Sequence, residues 1–256
     1  MKLGFIGTGT ITEAFVLGLQ HKQAPHEILL SPRSETVSTA LAARFANVTR
    51  LASNAEIVAR SDVVFLAMRP AQLEDALDGI SFRAGQIVVN FVAGLSMAEL
   101  QALAPASKVC RVLPLPMIAR GAGPVVCFPA LAEITALLAG MGDLVIASSE
   151  AEIKTIVSAS AFMSSYFELQ QTLVGSLAAR GVPLDAASLY VRSLLSGLAG
   201  TAMLEPLEAQ PSLALLHQTK GGLNERVRRH LIAAGWYDEP LRAFAGLDNL
   251  ARKSLE

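Results

Sequence analysis

The first 34 residues constrain the fold of this chain more than any other stretch. A short apolar strand, Lys2 to Ile6, runs directly into Gly7-Thr8-Gly9, and an amphipathic run from Ile11 to Leu19 follows. A second apolar strand, Ile28 to Leu30, comes after that run. This order of strand, glycine turn, helix and strand is the front half of a βαβ unit that binds dinucleotides. The alternative is a glycine turn in an α/β protein that binds nothing.

The two glycines of the turn have separate roles. Gly7 permits a tight turn, and Gly9 lets the backbone approach a pyrophosphate. The amides of residues 8 to 12 would face that anion at a helix N-terminus, where the helix dipole favours negative charge. Thr12 stands where a third glycine is usual. The predicted cofactor-binding residues of this turn are Gly7, Thr8, Gly9, Thr10 and Ile11.

The end of the second strand indicates which cofactor is used. It reads Ser31-Pro32-Arg33-Ser34, with no acid before Glu35. An acid there binds the ribose 2′-hydroxyl of NAD and repels a 2′-phosphate, whereas an arginine pairs with the phosphate. We therefore predict that Ser31, Arg33 and Ser34 bind the 2′-phosphate and that NADPH is preferred over NADH. Alternatively, Ser34 only caps the next helix and Arg33 is solvated.

The chain changes character after Ser149. Up to about residue 148, strand and helix patterns alternate, which predicts a doubly wound α/β sheet. Beyond it, helical runs cover Glu152 to Arg180 and Asp185 to Leu204, and shorter ones follow at about 224–234 and 240–254. We therefore predict a nucleotide-binding domain over residues 1–149 and an all-helical domain over residues 150–256.

Composition bears on the partners of the chain. Only 17% of its residues are charged and 52% are apolar, which suggests that a large apolar area is hidden between subunits. We predict a homodimer or higher homo-oligomer formed by the C-terminal helices, although the same apolar side chains could instead fill a monomer core. The formal net charge of −1, without a basic stripe, argues against nucleic acid as a partner.

Cysteine usage and the chain start bear on location. Cys110 and Cys127 lie in apolar, strand-like runs, so buried thiols in a reducing compartment are expected rather than a disulfide. The first strand begins at residue 2, and no run of 18 apolar residues is free of charges or turn signals. We therefore predict a cytoplasmic protein with neither a signal peptide nor a membrane span, and without a metal site.

Several short sequence motifs follow one another along the chain in an informative order. Gly4 to Gly9 opens the chain, Val63 to Pro70 and Val92 to Ser96 end two strands, Arg111 to Pro114 leads into Gly121-Ala122-Gly123, and Gly221-Gly222 lies in the helical part. Together they resemble the pyrroline-5-carboxylate reductase family, over nearly the whole chain. The resemblance implies a Rossmann domain, a helical C-terminal dimerisation domain and NAD(P)H-dependent reduction of a cyclic imino acid. It also implies a nicotinamide-side group of Ala67, Met68, Arg69, Pro70 and Ala93.

The substrate half departs from the family pattern. The family's Met-Pro-Asn-Thr-Pro is here Leu113 to Met117, and its Ser-Pro-Gly-Gly-Thr-Thr is Thr219 to Asn224. In the family, hydroxyls after the glycines hold the substrate carboxylate or supply a proton, which Leu223 cannot do. The chain could therefore reduce pyrroline-5-carboxylate to proline or act on a close analogue. It could instead act on an oxo or hydroxy acid, or bind NADP without catalysis.

Replacement groups stand near the altered positions. Lys220 could pair with a carboxylate, and Asn224 could orient the substrate, so these two are the catalytic candidates. Gly221, Gly222 and Arg120 are candidates for substrate binding, and His217 is the histidine best placed to donate a proton. Alternatively, Lys220 is solvated in a turn and Arg120 lies on the surface.

Overall fold

The computed structural model describes residues 1–23 and 26–253. The strands are β1 (Lys2–Ile6), β2 (Glu27–Leu30), β3 (Val48–Arg50), β4 (Val63–Leu66), β5 (Ile87–Asn90), β6 (Lys108–Pro114), β7 (Pro124–Phe128) and β8 (Asp143–Ile146). The helices among them are α1 (Thr10–His21), α2 (Glu35–Arg44), α3 (Asn54–Arg60), α4 (Leu73–Leu77), α5 (Met97–Leu103), α6 (Ala132–Leu138) and α7 (Glu150–Ser158). The later helices are α8 (Met163–Ala178), α9 (Leu184–Leu204), α10 (Leu213–Leu216), α11 (Leu223–Ala233) and α12 (Glu239–Lys253).

The eight strands form one sheet in the order β3-β2-β1-β4-β5-β6-β7-β8. Neighbouring strands run parallel, except that β6 and β7 are antiparallel. The strand order reverses between β1 and β4, so the predicted doubly wound Rossmann sheet is confirmed. Strands β4 and β5 are buried along their whole length, as expected of parallel strands covered on both faces.

Alternating side chains fill the two faces of the sheet. On one face the rings of Phe5 and Phe65 stack with centroids 4.5 Å apart, and Phe15 of α1 packs on both. On the other face, Ile6 and Leu66 pack in a separate apolar cluster with α3 and α5. Each fully buried side chain of this size contributes about 1.5–3 kcal/mol, so the sheet carries its own core.

Sequence patterns missed or merged some elements. Strand β3 and helix α3 were not predicted, because both are short and their patterns are weak. The predicted continuous helix from Glu152 to Arg180 is interrupted by a 3-10 helix, Ala159–Phe162, between α7 and α8. The predicted last helix ends at Ser254, which lies outside the described residues. Both cysteines are buried and unpaired, as predicted.

The chain divides into two compact units, and the second begins at Ser158. Helix α7 belongs to the first unit, because its Ile153 is buried against Val126 and Ala147 near the β7–β8 edge of the sheet. The predicted boundary at residue 149 precedes this helix; the division into a nucleotide domain and a dimerisation domain stays a prediction. Among the described residues, we find no helix with the length and hydrophobicity that crossing a membrane requires.

The second unit is helical, which confirms the predicted all-helical C-terminal part. Within its described residues only Ala187 and Val191, both on α9, are fully buried. Large apolar side chains of the same helix are open: Leu189 is 72% exposed and Tyr190 65% exposed. This unit therefore presents an apolar surface rather than a closed core of its own.

Candidate functional site

A cleft of about 580 Å³ opens at the carboxyl ends of β1, β2 and β4. It lies where the strand order reverses, which is where open α/β sheets bind ligands. Its volume is typical of small-molecule and cofactor sites, roughly 300–1,000 Å³. Most of the predicted cofactor residues line it, namely Gly7, Thr8, Gly9, Ile11, Ser31, Arg33, Ser34, Ala67, Met68 and Arg69. Of the others, Thr10 begins α1, Pro70 begins a 3-10 helix, and Ala93 lies exposed in the loop after β5.

The glycine turn touches the sheet on one side and opens to the cleft on the other. Gly7 has a φ of 96°, and a Cβ atom added there would lie 2.3 Å from the carbonyl oxygen of Ala67. Gly9 precedes α1, and a Cβ atom added to it would meet no described atom within 4 Å. The first glycine therefore allows the turn to pack on the end of β4. The second leaves room for a ligand at the N-terminus of α1.

Three hydroxyl groups hold this turn in place. The Ser31 hydroxyl accepts a hydrogen bond from the Gly7 amide at 3.0 Å and lies 3.1 Å from Thr8 Oγ1. Ser31 and Thr8 are both buried. The Thr12 hydroxyl donates to the Gly7 carbonyl at 2.7 Å, so threonine at the third glycine position braces the turn. The Ser31 hydroxyl is engaged in this way and positions the turn, and its predicted phosphate contact stays a prediction.

Arg33 and Ser34 remain available at the end of β2. Arg33 is exposed, and its guanidinium makes no hydrogen bond or ion pair with any described residue. Ser34 adopts the left-handed conformation, with φ 63° and ψ 57°, and its hydroxyl makes no cap bond to α2. Such strained non-glycine residues cluster at functional sites. Both side chains can therefore turn towards a phosphate without breaking an existing contact.

Arg50 on β3 supports this corner and was missed by sequence reasoning. It donates to the Pro32 carbonyl at 3.1 Å and lies 3.6 Å from the Glu35 carboxylate. Glu35 is the nearest acid in the sequence, and Arg50 offsets its charge. The local charge at the end of β2 is therefore favourable to an anion.

Helix α3, helix α4 and the 3-10 helix Pro70–Gln72 before α4 also line the cleft. Asn54, Gln72 and Asp75 line the cleft, and the Asn54 side-chain amide donates to the Ala76 carbonyl at 3.0 Å. Sequence reasoning missed α3 and did not identify these three side chains as part of the cleft. A signal was present: Ser53 and Glu56 form a capping pattern, with the Ser53 hydroxyl accepting from the Glu56 amide at 3.2 Å.

The sequence of this chain is similar to those of several known proteins. Residues 2–94 match the family described as NADP oxidoreductase coenzyme F420-dependent. A segment of 121 residues is 36% identical to pyrroline-5-carboxylate reductase 2 of Pongo abelii, covering 44% of this chain and only 38% of that relative's length. Over 225 residues, 82% of each chain, the sequence is 28% identical to the pyrroline-5-carboxylate reductase of Corynebacterium melassecola. The chain is thus similar in sequence to pyrroline-5-carboxylate reductases.

Solved structures of pyrroline-5-carboxylate reductases share this fold. The enzyme from Coxiella burnetii matches with a TM-score of 0.84 at 22% identity, over 98% of this chain and 97% of that one. The NADP-bound pyrroline carboxylate reductase of Plasmodium falciparum matches with a TM-score of 0.80 at 15% identity, over 96% and 95% of the two chains. The family resemblance noted in the sequence motifs is thus matched by the architecture of both units.

One predicted substrate residue lies outside the cleft. Arg120 ends a 3-10 helix, Pro116–Arg120, which packs against α1. A Cβ atom added at Gly18 of α1 would lie 2.5 Å from the Ile118 carbonyl oxygen, so the two helices are in close contact. The segment that replaces the family's Asn-Thr loop thus braces α1, and Arg120 is exposed at its end, as the surface alternative predicted.

The remaining predicted substrate residues lie in the second unit. Lys220 is exposed and makes no hydrogen bond or ion pair with a described residue. Gly221 adopts a φ of 75°, and its amide donates to the carboxylate of Glu225. The Asn224 side-chain amide donates to the His217 carbonyl at 2.7 Å, and His217 Nδ1 lies 2.9 Å from the Leu213 carbonyl oxygen. The α11 start is therefore partly satisfied by its own side chains, and Lys220 remains available to a ligand.

Proposed function

We propose that this protein is an NADPH-dependent reductase of a small cyclic imino acid, pyrroline-5-carboxylate or a close analogue. The observation that carries the cofactor assignment is the Arg33 guanidinium. It lines the cleft at the end of β2 and has no partner among the described residues. An arginine binds the 2′-phosphate bidentately, and that phosphate is what distinguishes NADP from NAD.

The cleft fits this cofactor in three respects. Gly9 leaves open space at the N-terminus of α1, where backbone amides and the helix dipole favour a pyrophosphate. Arg33 and Ser34 stand at the end of β2 for the 2′-phosphate. Half-buried Met68 and Phe91 give an apolar lining at the ends of β4 and β5. The NADP-bound structural neighbour from Plasmodium falciparum supports the same assignment.

The chemistry follows from the cofactor and from the chain's own cations. When bound, NADPH supplies a hydride to the carbon of a C=N bond, while the nitrogen gains a proton. Lys220 would pair with the substrate carboxylate, and Gly221 and Gly222 would let the substrate approach the backbone. Asn224 would orient the substrate through its side-chain oxygen, because its side-chain nitrogen already donates to the His217 carbonyl.

A second substrate class is favoured by one observation. Leu223, which is 77% exposed at the first position of α11, stands where the family has a hydroxyl. A site built around the polar groups of one acid rejects analogues strongly, so a changed polar group argues for a changed substrate. A related imino or oxo acid is therefore the alternative to pyrroline-5-carboxylate.

We also propose a homodimer or higher homo-oligomer that works in the cytoplasm. The exposed apolar side chains of α9 support association through the helical unit. The two buried, unpaired thiols support a reducing compartment.

The cofactor assignment is tested by titration with NADPH and NADH. Wild type should bind NADPH more tightly, and Arg33→Ala should lose about 10- to 150-fold in NADPH affinity while NADH affinity stays the same. Arg44→Ala, at the exposed end of α2, is the matched control and should bind NADPH like wild type. Equal affinities of wild type for the two cofactors would contradict the assignment.

The substrate assignment is tested by steady-state kinetics with pyrroline-5-carboxylate and related imino and oxo acids. Lys220→Met should raise the KM roughly 10- to 150-fold, because it removes the proposed charged hydrogen bond to the substrate carboxylate, and should leave the NADPH affinity unchanged. Arg229→Met on α11 serves as the control for a lost surface cation. Unaltered kinetics in Lys220→Met would assign this lysine to a solvated turn. Absence of NADPH oxidation with every acid would favour a binding protein without catalysis.

A further inference from the structure

Arg111 is a buried arginine on an interior strand of the sheet. It lies on β6, and its side chain is 8% exposed. Its Nη1 donates to the Leu95 carbonyl at 3.3 Å and its Nη2 to the Val92 carbonyl at 3.4 Å. The Glu150 carboxylate, at the start of α7, lies 3.5 Å from Nη1. The guanidinium therefore joins one loop and one helix that are distant in sequence.

Asn90 holds the same loop from the neighbouring strand. It stands beside Arg111 in the β5–β6 register and is buried. Its side-chain amide donates to the Leu95 carbonyl at 3.0 Å, and its Oδ1 accepts from the Val92 amide at 2.6 Å. Both ends of the loop from 92 to 95, hereafter the 92–95 loop, are thus tied to side chains that project from two adjacent strands.

If it served stability alone, burying the Arg111 guanidinium would be unfavourable. The Nε of Arg111 is buried without a hydrogen-bond partner among the described residues. Burial lowers the pKa of Arg111, and the carboxylate of Glu150 only opposes that effect. Apolar residues often replace buried ion pairs of this kind without loss of stability, or with a gain. A role in arranging the 92–95 loop accounts for a cation at this position.

The 92–95 loop follows the cleft wall directly. Phe91 lines the cleft, and the exposed residues Ala93 and Gly94 come next in the chain. In the sheet, the cleft extends from the end of β2 past β1 to β4, and β5 is the next strand. A dinucleotide with its 2′-phosphate at Arg33 and its pyrophosphate at Gly9 would therefore place its nicotinamide half towards β4 and β5.

We propose that Arg111 is a positioning residue that, together with Asn90 and Glu150, fixes the 92–95 loop as the wall against which the nicotinamide half of NADPH binds. This rests on the proposed function. The adenosine half is bound at the other end of the cleft and does not depend on Arg111. Substitution of Arg111 should therefore weaken the binding of the nicotinamide half and leave the binding of the adenosine half unchanged.

The test compares NADPH with adenosine 2′,5′-bisphosphate, which carries the 2′-phosphate and lacks nicotinamide. Full-length Arg111→Met should bind the bisphosphate like wild type, bind NADPH on the order of tenfold more weakly and lose about 10- to 100-fold in kcat, because the reacting ring is misplaced. Arg111→Lys should remain impaired, since one ammonium cannot bridge the two carbonyls as a guanidinium does. Lys108→Met is the matched control: it removes a cation from the same strand, whose ion pair with Glu133 is exposed.

Glu150→Gln decides the question if Arg111→Met does not fold. The glutamine side chain keeps an oxygen that can accept from the Met97 backbone amide. It loses only the negative charge that faces Arg111. A selective loss of NADPH binding, with bisphosphate binding retained, supports the proposal. Parallel losses for both ligands, or NADPH affinity equal to that of Lys108→Met, overturn it. A wild type that does not prefer NADPH contradicts the proposed function, whereas a wild type that prefers NADPH with no selective loss in the variants contradicts only the role of Arg111, so the two failures are distinguishable.

Discussion

Identical residue types have different roles in the cofactor cleft, depending on what surrounds them. Ser31 is buried and its hydroxyl holds the Gly7 amide, whereas Ser34 is exposed with an unengaged hydroxyl. Gly7 packs against Ala67, whereas Gly9 faces open space. One member of each pair therefore maintains the turn, and the other is available to a ligand.

Alanine at each glycine should separate stability from binding. In Gly7→Ala the new Cβ would lie 2.3 Å from the Ala67 carbonyl oxygen at a φ of 96°, so we expect a loss of about 2–4 kcal/mol in the free energy of unfolding. Gly9→Ala should unfold like wild type and bind NADPH more weakly, because its Cβ would project where the pyrophosphate approaches. Urea denaturation and cofactor titration measure the two effects. Equal stability of the two variants would contradict this division of roles.

At the scale of elements, α1 is held by more than the sheet beneath it. The 3-10 helix Pro116–Arg120 packs along it, and Gly18 allows the Ile118 carbonyl to approach. Because α1 presents its N-terminus to the cleft, this contact helps to fix the helix that would bind the pyrophosphate. The predicted substrate loop thus contributes to the cofactor half of the protein.

Gly18→Ala tests this contact. In an open helix interior, alanine is favoured over glycine by about 1 kcal/mol. At Gly18, however, the added Cβ would lie 2.5 Å from a backbone oxygen and 3.1 Å from the Met141 methyl group, so we expect a net loss of about 1–3 kcal/mol in unfolding free energy. The control is Gly175→Ala in α8, where an added Cβ meets no described atom within 4 Å. A stabilised Gly18→Ala variant would show that α1 and the 3-10 helix separate readily.

At the scale of the whole molecule, the two units differ in how they bury apolar surface. The first unit encloses the sheet between two apolar clusters, and α7 completes it through Ile153 and Glu150. In the second unit most large apolar side chains among the described residues are at least partly exposed. The first unit should therefore be stable alone, and the second should depend on association.

Truncation and mass measurement test this difference. A segment of residues 1–157 should fold, bind NADPH and remain monomeric, whereas the full chain should have at least twice the monomer mass of 27.0 kDa in light scattering. A segment of residues 1–149 should unfold at lower urea concentration, because it loses the Ile153 packing and leaves Arg111 without its carboxylate partner. A full chain of monomer mass at micromolar concentration would contradict the predicted assembly.

Much of the cleft could be predicted because its signals are local. The glycine turn, the helix after it and the Ser31–Ser34 tip follow one another along the chain, so their spacing alone indicates a dinucleotide site. Helix α3 was missed because it is short, and Arg50 was missed because its partners lie on another element. The packing of the 3-10 helix that ends at Arg120 could not be predicted, because the family pattern locates a loop in the sequence without showing what it packs against, and substrate binding by Arg120 stays a prediction.

The sequence by itself determined the alternation of strands and helices, the glycine turn and the absence of an acid at the end of β2, since these depend on neighbours in the chain. Only the tertiary structure decided which of those side chains are available to a ligand. It engages the Ser31 hydroxyl with the Gly7 amide, leaves Arg33 open, and joins Asn90, Arg111 and Glu150 around one loop. The physical reason is that hydrogen bonding and burial depend on contacts between residues far apart in sequence, which local patterns do not encode.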